Sequence, residues 1–409
     1  MNVGFNSDLF LRRPMTGIAN YCFEMIRAQQ ELDSRIDYCG FTGVGWRRVD
    51  ALYLAKIARD HRKGLSGKDA KSSRTRALIG TSVERLARTA ARFGPVRATY
   101  RALRKKTFSR SMARAARNLD LFHAFNFQPH ADIQVPTLPV IYDLSFIRFP
   151  EAHPKDRLKS LEKLPQTIAC APLVQTISQF SKNEIVAVYG YPEDRIFVAP
   201  PAAASIFRPL GRDLTAVDLA AFDLAFGNYF LAVGTLEPRK NLKLLVAAYS
   251  ELSLSQRAQC PLVIVGAKGW GQLELPPQTD RLIRSGSLRF VGSVSDAALR
   301  SLYEGAKLLL FPSMYEGFGM PVVEAMACGT AVAHSAETSM DEITGDLASR
   351  LTATDVQAWT NAMQQAVAQS EVDSGTLRQT RIIQAETFAW RRSAATVLEA
   401  YHRIDGNTI

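Results

Sequence analysis

The chain has few cysteines and no long apolar run. Five cysteines are scattered among its 409 residues and form no C-x-x-C pair, which argues against a zinc site and for reduced thiols in a cytosol. No run approaches the roughly 20 apolar residues that a membrane span needs. No basic and apolar leader precedes the first strand predicted at residues 2–5. We therefore expect a cytoplasmic protein, and its length favours two domains of roughly 200 residues each.

Positive charge is concentrated in one part of the chain. Residues 47–117 contain 21 Lys and Arg against 4 Asp and Glu, a balance of +17 within a total of +11. Helical stretches are predicted there at residues 51–62 and 82–117, the second with an apolar side opposite its arginines. Such a segment can bind an anionic membrane surface, although a helix packed on its own domain with a solvated basic face is the alternative. No stacking motif accompanies the charge, so nucleic acid is the least favoured partner.

Residues 311–330, which read FPSMYEGFGMPVVEAMACGT, predict a glycine loop and a helix directly after a buried strand at 307–310. Pro321 suits the first position of a helix, and Gly329 is placed to end it. This geometry directs backbone N–H groups and the positive end of a helix dipole at a ligand, most naturally a phosphate.

Two carboxylates flank this loop. Glu316 precedes the glycines, and we expect it to be an exposed loop residue whose substitution leaves the fold intact. Glu324 lies about one turn into the helix, where an ionised carboxylate could accept hydrogen bonds from a pair of sugar hydroxyls. N–H groups for a diphosphate and carboxylates for diols together indicate a nucleotide-sugar site.

Polar residues follow several predicted strands, and the carboxyl ends of parallel strands face the ligand crevice. After the strand at 229–233, Arg239 and Lys240 supply two cations that match a diphosphate gaining negative charge as a glycosyl bond breaks. Gly17 lies at a turn between a strand and a helix. In the first half, the predicted crevice-lining candidates are His123, Asn126, Tyr142 and Asp143. For His123, a core histidine that caps its strand is an equal alternative.

The two glutamates eight residues apart around GFGMP, after FPS and before AMACGT, resemble the signature of retaining glycosyltransferases of family four. The resemblance implies an α/β architecture of the GT-B type, in which two Rossmann-like domains face each other across a cleft. It assigns residues 1–210 to an acceptor-binding domain, 211–385 to a donor-binding domain, and 386–409 to a helix that returns to the first domain. The linker is expected near residues 209–224.

The resemblance also assigns roles to residues. Glu316, Asp143, Arg239 and Lys240 are implied to be catalytic, with Asp143 contacting the acceptor hydroxyl. The chain departs from the family where relatives carry histidines, because Tyr142 directly precedes Asp143 and Phe125 replaces the second His of an H-x-H pair. The implied donor-binding residues are Gly17, Glu237, Arg239, Lys240, Gly266, Val294, Gly317, Phe318, Gly319, Met320, Pro321 and Glu324.

The implied reaction is transfer of a hexose from a nucleotide sugar with retention of configuration, without a cofactor or metal. The segment GTLEPRKNL resembles transferases that use GDP-linked mannose or its deoxy derivatives in polysaccharide and O-antigen assembly, while UDP and dTDP donors stay open. The expected partners are a saccharide or lipid-pyrophosphate-linked acceptor and the inner face of the plasma membrane. A sugar-nucleotide epimerase and a non-catalytic binder of nucleotide sugars are the alternatives.

Overall fold

Two β-sheets organise the chain. The computed structural model describes residues 1–11, 17–41, 46–65, 112, 116–129, 133–269, 273–369 and 375–406. The first sheet contains β1 (Asn2–Asn6), β2 (Asp37–Phe41), β3 (Trp46–Arg48), β4 (Leu121–Ala124), β5 (Thr137–Ile141), β6 (Val174–Thr176) and β7 (Ile196–Val198). The second contains β8 (Phe230–Val233), β9 (Leu262–Val265), β10 (Leu288–Gly292), β11 (Leu308–Phe311), β12 (Val332–Ser335) and β13 (Ser349–Leu351).

The strand order of both sheets reverses near the middle. The order is β3-β2-β1-β4-β5-β6-β7 in the first sheet and β10-β9-β8-β11-β12-β13 in the second, and only the pairing of β2 with β3 is antiparallel. Ligands of open α/β sheets bind beyond the carboxyl ends of the strands at such a reversal point. The loops after β8 and β11 therefore begin beside each other at the reversal point of the second sheet.

Helices cover both sheets. Those of the first half are α1 (Gly17–Leu32), α2 (Ala51–Leu65), α3 (Ser145–Arg148), α4 (Lys155–Ser160), α5 (Leu164–Cys170) and α6 (Gln179–Tyr189). α7 (Arg212–Ala220) lies between the sheets in sequence, so the predicted linker at 209–224 contains a helix. The remaining helices are α8 (Leu242–Ser250), α9 (Leu254–Gln259), α10 (Thr279–Arg284), α11 (Asp296–Gly305), α12 (Met320–Ala327), α13 (Met340–Thr344), α14 (Val356–Ala368), α15 (Gly375–Glu386) and α16 (Trp390–Asp405).

The last helix, α16, packs against the first half of the chain. It lies along α1, and the Ser393 hydroxyl donates to the Pro200 carbonyl oxygen at 2.7 Å. His123 is fully buried beneath this helix, with its Nδ1 atom 2.6 Å from the Tyr401 hydroxyl and its ring stacked on Phe125. The prediction that His123 lines the crevice is therefore wrong, because the returning helix covers this position.

Contacts across the domain boundary hold the two halves together. The Tyr315 ring, which follows β11, lies against Phe149 and Phe180 of the first half, and its hydroxyl accepts from the Leu144 N–H at 3.0 Å. The Glu342 carboxylate accepts from the Gln179 and Phe180 N–H groups at 2.8 and 2.5 Å, and so caps the N-terminus of α6 from the other domain.

The predicted α/β class with two Rossmann-like sheets is confirmed. The helix predicted at 51–62 corresponds to α2, whereas the stretch predicted as helical at 82–117 lies almost entirely outside the described residues. Among the helices that the structure describes, none combines the length and the apolar composition that crossing a bilayer requires.

Candidate active site

A cavity of about 740 Å³ opens between the two sheets, within the size range of ligand pockets in proteins. Its walls come from the carboxyl ends of β5, β8 and β11 and from the N-terminal ends of α1, α12 and α16. Most of the residues that the sequence assigns to the site line this cavity. They are Gly17, Tyr142, Asp143, Glu237, Arg239, Lys240, Glu316, Gly317, Phe318, Gly319, Met320, Pro321 and Glu324.

Four charged side chains meet on the wall formed by the loops after β8 and β11. The Lys240 Nζ atom donates to Glu316 Oε1 at 2.5 Å, and Arg239 Nη1 lies 3.0 Å from Glu316 Oε2. The second Arg239 amino group, Nη2, donates to Glu237 Oε1 at 2.7 Å. Two cations and two carboxylates therefore balance in formal charge, and each cation contacts Glu316. Because the two loops begin at the sheet reversal point, residues 76 positions apart in sequence are brought together.

Glu316 is buried, with 8% of its surface exposed, which corrects the expectation of an exposed loop carboxylate. Burial alone favours the neutral carboxyl, but Lys240 and Arg239 outweigh it and lower the pKa of Glu316 to about 2. Burial likewise acts against the charged guanidinium, yet Glu316 and Glu237 raise the pKa of Arg239 above its usual value. Glu316 and Arg239 are therefore both ionised at neutral pH.

Gly317 allows the two domains to touch inside the cavity. A Cβ atom at this position would lie 2.1 Å from the Tyr142 carbonyl oxygen and 3.0 Å from the Asp143 side chain. The Ser181 hydroxyl, from the first domain, donates to the carbonyl oxygens of Tyr142 and Gly317 at 3.2 and 3.3 Å. Gly319 has φ +115° at the start of α12, a conformation that L side chains rarely adopt. Gly317 thus permits the close contact between the two domains, and Gly319 permits the left-handed backbone conformation at the start of α12.

Glu324 lies farther along α12 and accepts a hydrogen bond from the Tyr303 hydroxyl at 2.9 Å. Burial raises the pKa of Glu324 to about 8, and the hydrogen bond from Tyr303 offsets only part of this effect. Burial at this position therefore favours the neutral carboxyl, in contrast to the ionised Glu324 expected from the sequence. A protonated carboxyl group still provides one O–H donor and a carbonyl acceptor for sugar hydroxyls.

Asp143 faces the charged cluster from the first domain. Its Oδ1 atom accepts from the Ser145 hydroxyl at 2.7 Å and from the Ser145 N–H at 3.0 Å, which fixes the carboxylate at the start of α3. The neighbouring Tyr142 hydroxyl donates to the Phe125 carbonyl oxygen at 2.9 Å. Tyr142 therefore contributes a buried wall, and Asp143 a half-buried acid, to the cavity.

Sequence reasoning missed several cavity residues in the segments around Asp143. Phe127, a non-glycine residue at φ +68°, packs its ring near Phe146, and the Arg157 guanidinium lies 4.7 Å from the centre of the Phe127 ring. His153 also lines the cavity, as does Trp390 from the start of α16. Continuity with Asp143 was the available signal for His153 and Arg157, since residues 144–157 follow the same strand end, whereas Phe127 and Trp390 had no such signal.

Three predicted site residues besides His123 do not line the cavity. Asn126 is half-buried outside it, and Val294 packs against the hydrophobic core. Gly266 serves chain packing, since a Cβ atom there would lie 1.8 Å from the Gly234 carbonyl oxygen. Within the described ranges, no three His, Cys, Asp or Glu side chains are grouped as metal ligands.

Comparison with known proteins identifies related sequences. A family described as "Glycosyl transferases group 1" matches residues 226–385. The chain is 36% identical over 284 residues to O-antigen chain mannosyltransferase B of Escherichia coli, which covers 69% of this chain and 74% of that protein. It is also 28% identical over 290 residues to the serotype-specific mannosyltransferase WbdA of Escherichia coli, covering 68% of this chain but 34% of that longer protein.

Solved structures match the fold over nearly the whole chain. Anabaena HepE, determined in complex with UDP and glucose, has a TM-score of 0.67 at 16% identity and aligns with 98% of this chain and 100% of its own. A glycosyltransferase from Rickettsia africae has a TM-score of 0.62 at 14% identity, with 100% and 99% of the two chains covered. At these identities the likeness establishes the fold, which is the GT-B arrangement.

The buried position of Glu316 predicts an acid-dependent contribution to stability. Its folded-state pKa of about 2 lies below the ordinary value of 4.5, so the contribution is complete above pH 4.5 and is lost as the pH falls toward 2. Glu316→Gln should lower the free energy of unfolding by about 3 kcal/mol at pH 7, since it removes the carboxylate shared by two largely buried cations and leaves Lys240 without an ionic partner among the described residues. The difference from the wild-type protein should shrink progressively below pH 4.5.

Urea unfolding between pH 7 and pH 3, followed by circular dichroism, measures this difference. Glu399→Gln, on the exposed face of α16, is the matched control and should leave stability unchanged at each pH. Equal stability of Glu316→Gln and wild-type protein at pH 7 would contradict the buried ion cluster.

Proposed function

We infer the reaction of this chain from the premise that it belongs to the glycosyl transferases of group 1. We propose that it transfers a hexose of the mannose or deoxy-mannose type from a nucleoside diphosphate sugar to a saccharide acceptor. The observation that carries this proposal is the cluster of Glu237, Arg239, Lys240 and Glu316 on the wall of the interdomain cavity. Similarity to O-antigen mannosyltransferases supports a role in cell-surface polysaccharide assembly.

In this proposal the donor diphosphate lies against Arg239 and Lys240. Both cations are held by Glu316 before the donor binds, so little reorganisation is needed to place them. The first turn of α12, from Gly319 to Pro321, adds the positive end of a helix dipole on the same side. Glu324, deeper in the cavity wall, is placed to bind sugar hydroxyls.

We further propose that the reaction retains the anomeric configuration and needs no metal, since two protein cations are available for the charge that develops on the diphosphate. The acceptor oxygen forms its bond to the anomeric carbon on the face that the diphosphate leaves. The bond between that carbon and the diphosphate oxygen breaks with its electron pair, and the acceptor proton passes to the departing diphosphate. Asp143 orients the acceptor hydroxyl for this step.

We propose GDP as the donor nucleotide because the sequence of the loop around Arg239 and Lys240, GTLEPRKNL, resembles that of transferases that use GDP-linked sugars. Thermal-shift measurements with GDP, UDP, dTDP and ADP should give the largest rise in Tm with GDP, because a ligand that binds only the folded state stabilises it. A rise in Tm with UDP or dTDP alone would overturn the assignment of GDP as donor, but it would be consistent with the proposed glycosyl transfer.

The reaction class is tested by incubating the protein with GDP-mannose, with and without octyl α-mannoside, and measuring released GDP. A transferase releases GDP slowly when water accepts the sugar and faster when the glycoside accepts it. NMR of the glycoside product then reports its anomeric configuration. Binding of the nucleotide sugar without GDP release would favour a non-catalytic binder, and conversion of the sugar without GDP release would favour an epimerase.

We also propose that the basic segment at residues 47–117 attaches the protein to the cytoplasmic face of an anionic membrane, beside a lipid-linked acceptor. Each Lys or Arg near such a surface contributes about 1 kcal/mol, and salt screens the attraction over roughly 8 Å at physiological ionic strength. We expect the protein to sediment with phosphatidylglycerol liposomes at low salt, to be released at high salt, and to ignore neutral liposomes.

A charge-reversed variant identifies the segment responsible. Replacing four residues of this segment by Glu, namely Arg101, Arg104, Lys105 and Lys106, should weaken sedimentation without changing GDP release. The control reverses four exposed cations of the second domain, namely Lys243, Arg281, Arg284 and Arg350. Equal loss in both variants would indicate a general charge effect, and absence of wild-type binding at low salt would refute membrane attachment.

A further inference from the structure

His153 lines the cavity on a segment with little conformational freedom. It follows a 3-10 helix at Pro150–Ala152, and its N–H group donates to the Pro150 carbonyl oxygen at 3.1 Å. Pro154 comes next and begins the turn into α4, so the segment is restricted on both sides of His153. The imidazole is half-buried, with its position set by this short turn rather than by a long loop.

The charged groups that act on His153 come from both domains. Asp143 and Arg157 belong to the first domain, and Glu237 and Arg239 belong to the charged cluster of the second. His153 therefore lies where the acid of the acceptor side faces the cations proposed to bind the diphosphate. A donor and an acceptor have to meet at this place for transfer to occur.

The imidazole of His153 is neutral at pH 7. Burial lowers its pKa below the ordinary value of 6.5, and the opposing effect of Asp143 is partly cancelled by Arg239. A neutral imidazole carries one nitrogen that donates and one that accepts a hydrogen bond. Among the described side chains no other histidine lines this cavity, since His123 and His334 are both fully buried elsewhere.

We propose that the His153 imidazole accepts a hydrogen bond from the acceptor hydroxyl that attacks the anomeric carbon, and holds this hydroxyl beside Asp143. This assignment rests on the glycosyl transfer proposed above. The hydroxyl proton still leaves with the diphosphate oxygen, so His153 orients the nucleophile and stays neutral through the step. Water occupies the same position when the donor is hydrolysed.

The test measures GDP release from GDP-mannose by His153→Ala and His153→Gln, with octyl α-mannoside and with water as acceptors. We expect the alanine variant to lose about 10²-fold in rate, the scale for losing a group that positions a reactant. The glutamine variant should lose less, because its amide oxygen can accept the same hydrogen bond. His402→Gln, on α16 outside the cavity, is the control and should match wild-type protein.

The pH profile separates this role from a structural one. The wild-type rate should fall on the acid side of pH 6.5, because the pKa of His153 lies below that ordinary value and a protonated imidazole cannot accept the hydrogen bond. The glutamine variant should lack this fall. A loss below threefold in His153→Ala, or the same acidic limb in His153→Gln, would overturn the assignment.

Binding measurements distinguish the two proposals. The rise in Tm with GDP should be the same in wild-type protein, His153→Ala and His153→Gln if His153 contacts the acceptor. A reduced rise in both variants would indicate that His153 contacts the donor instead. If wild-type protein binds none of GDP, UDP, dTDP and ADP and releases no nucleotide from their mannose or glucose derivatives, glycosyl transfer fails, and the assignment of His153 falls with it; if only UDP or dTDP binds, the same variants are compared with the sugar of that nucleotide.

Discussion

The site depends on a single buried carboxylate that two cations share. Glu316 contacts Lys240 at 2.5 Å and Arg239 at 3.0 Å, and the balance between burial and these charges keeps it ionised. A buried charge without partners is costly, so removing Glu316 leaves Lys240 without its carboxylate and leaves Arg239 with Glu237 alone. The arrangement positions two cations toward the cavity in advance, which is the condition for stabilising charge that develops on a diphosphate.

The same loop also joins the domains. Gly317 lies against the Tyr142 carbonyl, and Tyr315 inserts between two rings of the first domain. Glu342 caps α6 across the boundary, which is favourable because a carboxylate complements the N-terminal end of a helix dipole. Glu316 of the charged cluster is therefore a direct neighbour in sequence of Tyr315 and Gly317, which contact the first domain beside Asp143. Donor and acceptor sides are coupled through this loop.

Local patterns predicted the parts of the site that depend on local structure. The strand, glycine loop and helix around Glu316, and the cations after β8, follow from apolar runs and from the rule that strand ends face the crevice. The predictions failed where segments distant in sequence determine the environment of a side chain. His123 is covered by α16, more than 260 positions later in sequence, and periodicity does not reveal the burial that raises the pKa of Glu324. His153 has no motif and enters the cavity through a turn whose course depends on tertiary packing.

The most direct measurement of the central claim is GDP release from GDP-mannose by Glu316→Gln, made at pH 7 on protein shown by circular dichroism to be folded. The carboxamide keeps the shape of the side chain but removes the charge that holds Lys240 and Arg239. We expect GDP release to fall about 10²-fold or more while GDP still raises the Tm. Near wild-type release by the folded variant would contradict the account, because the ion cluster would then have no part in the reaction.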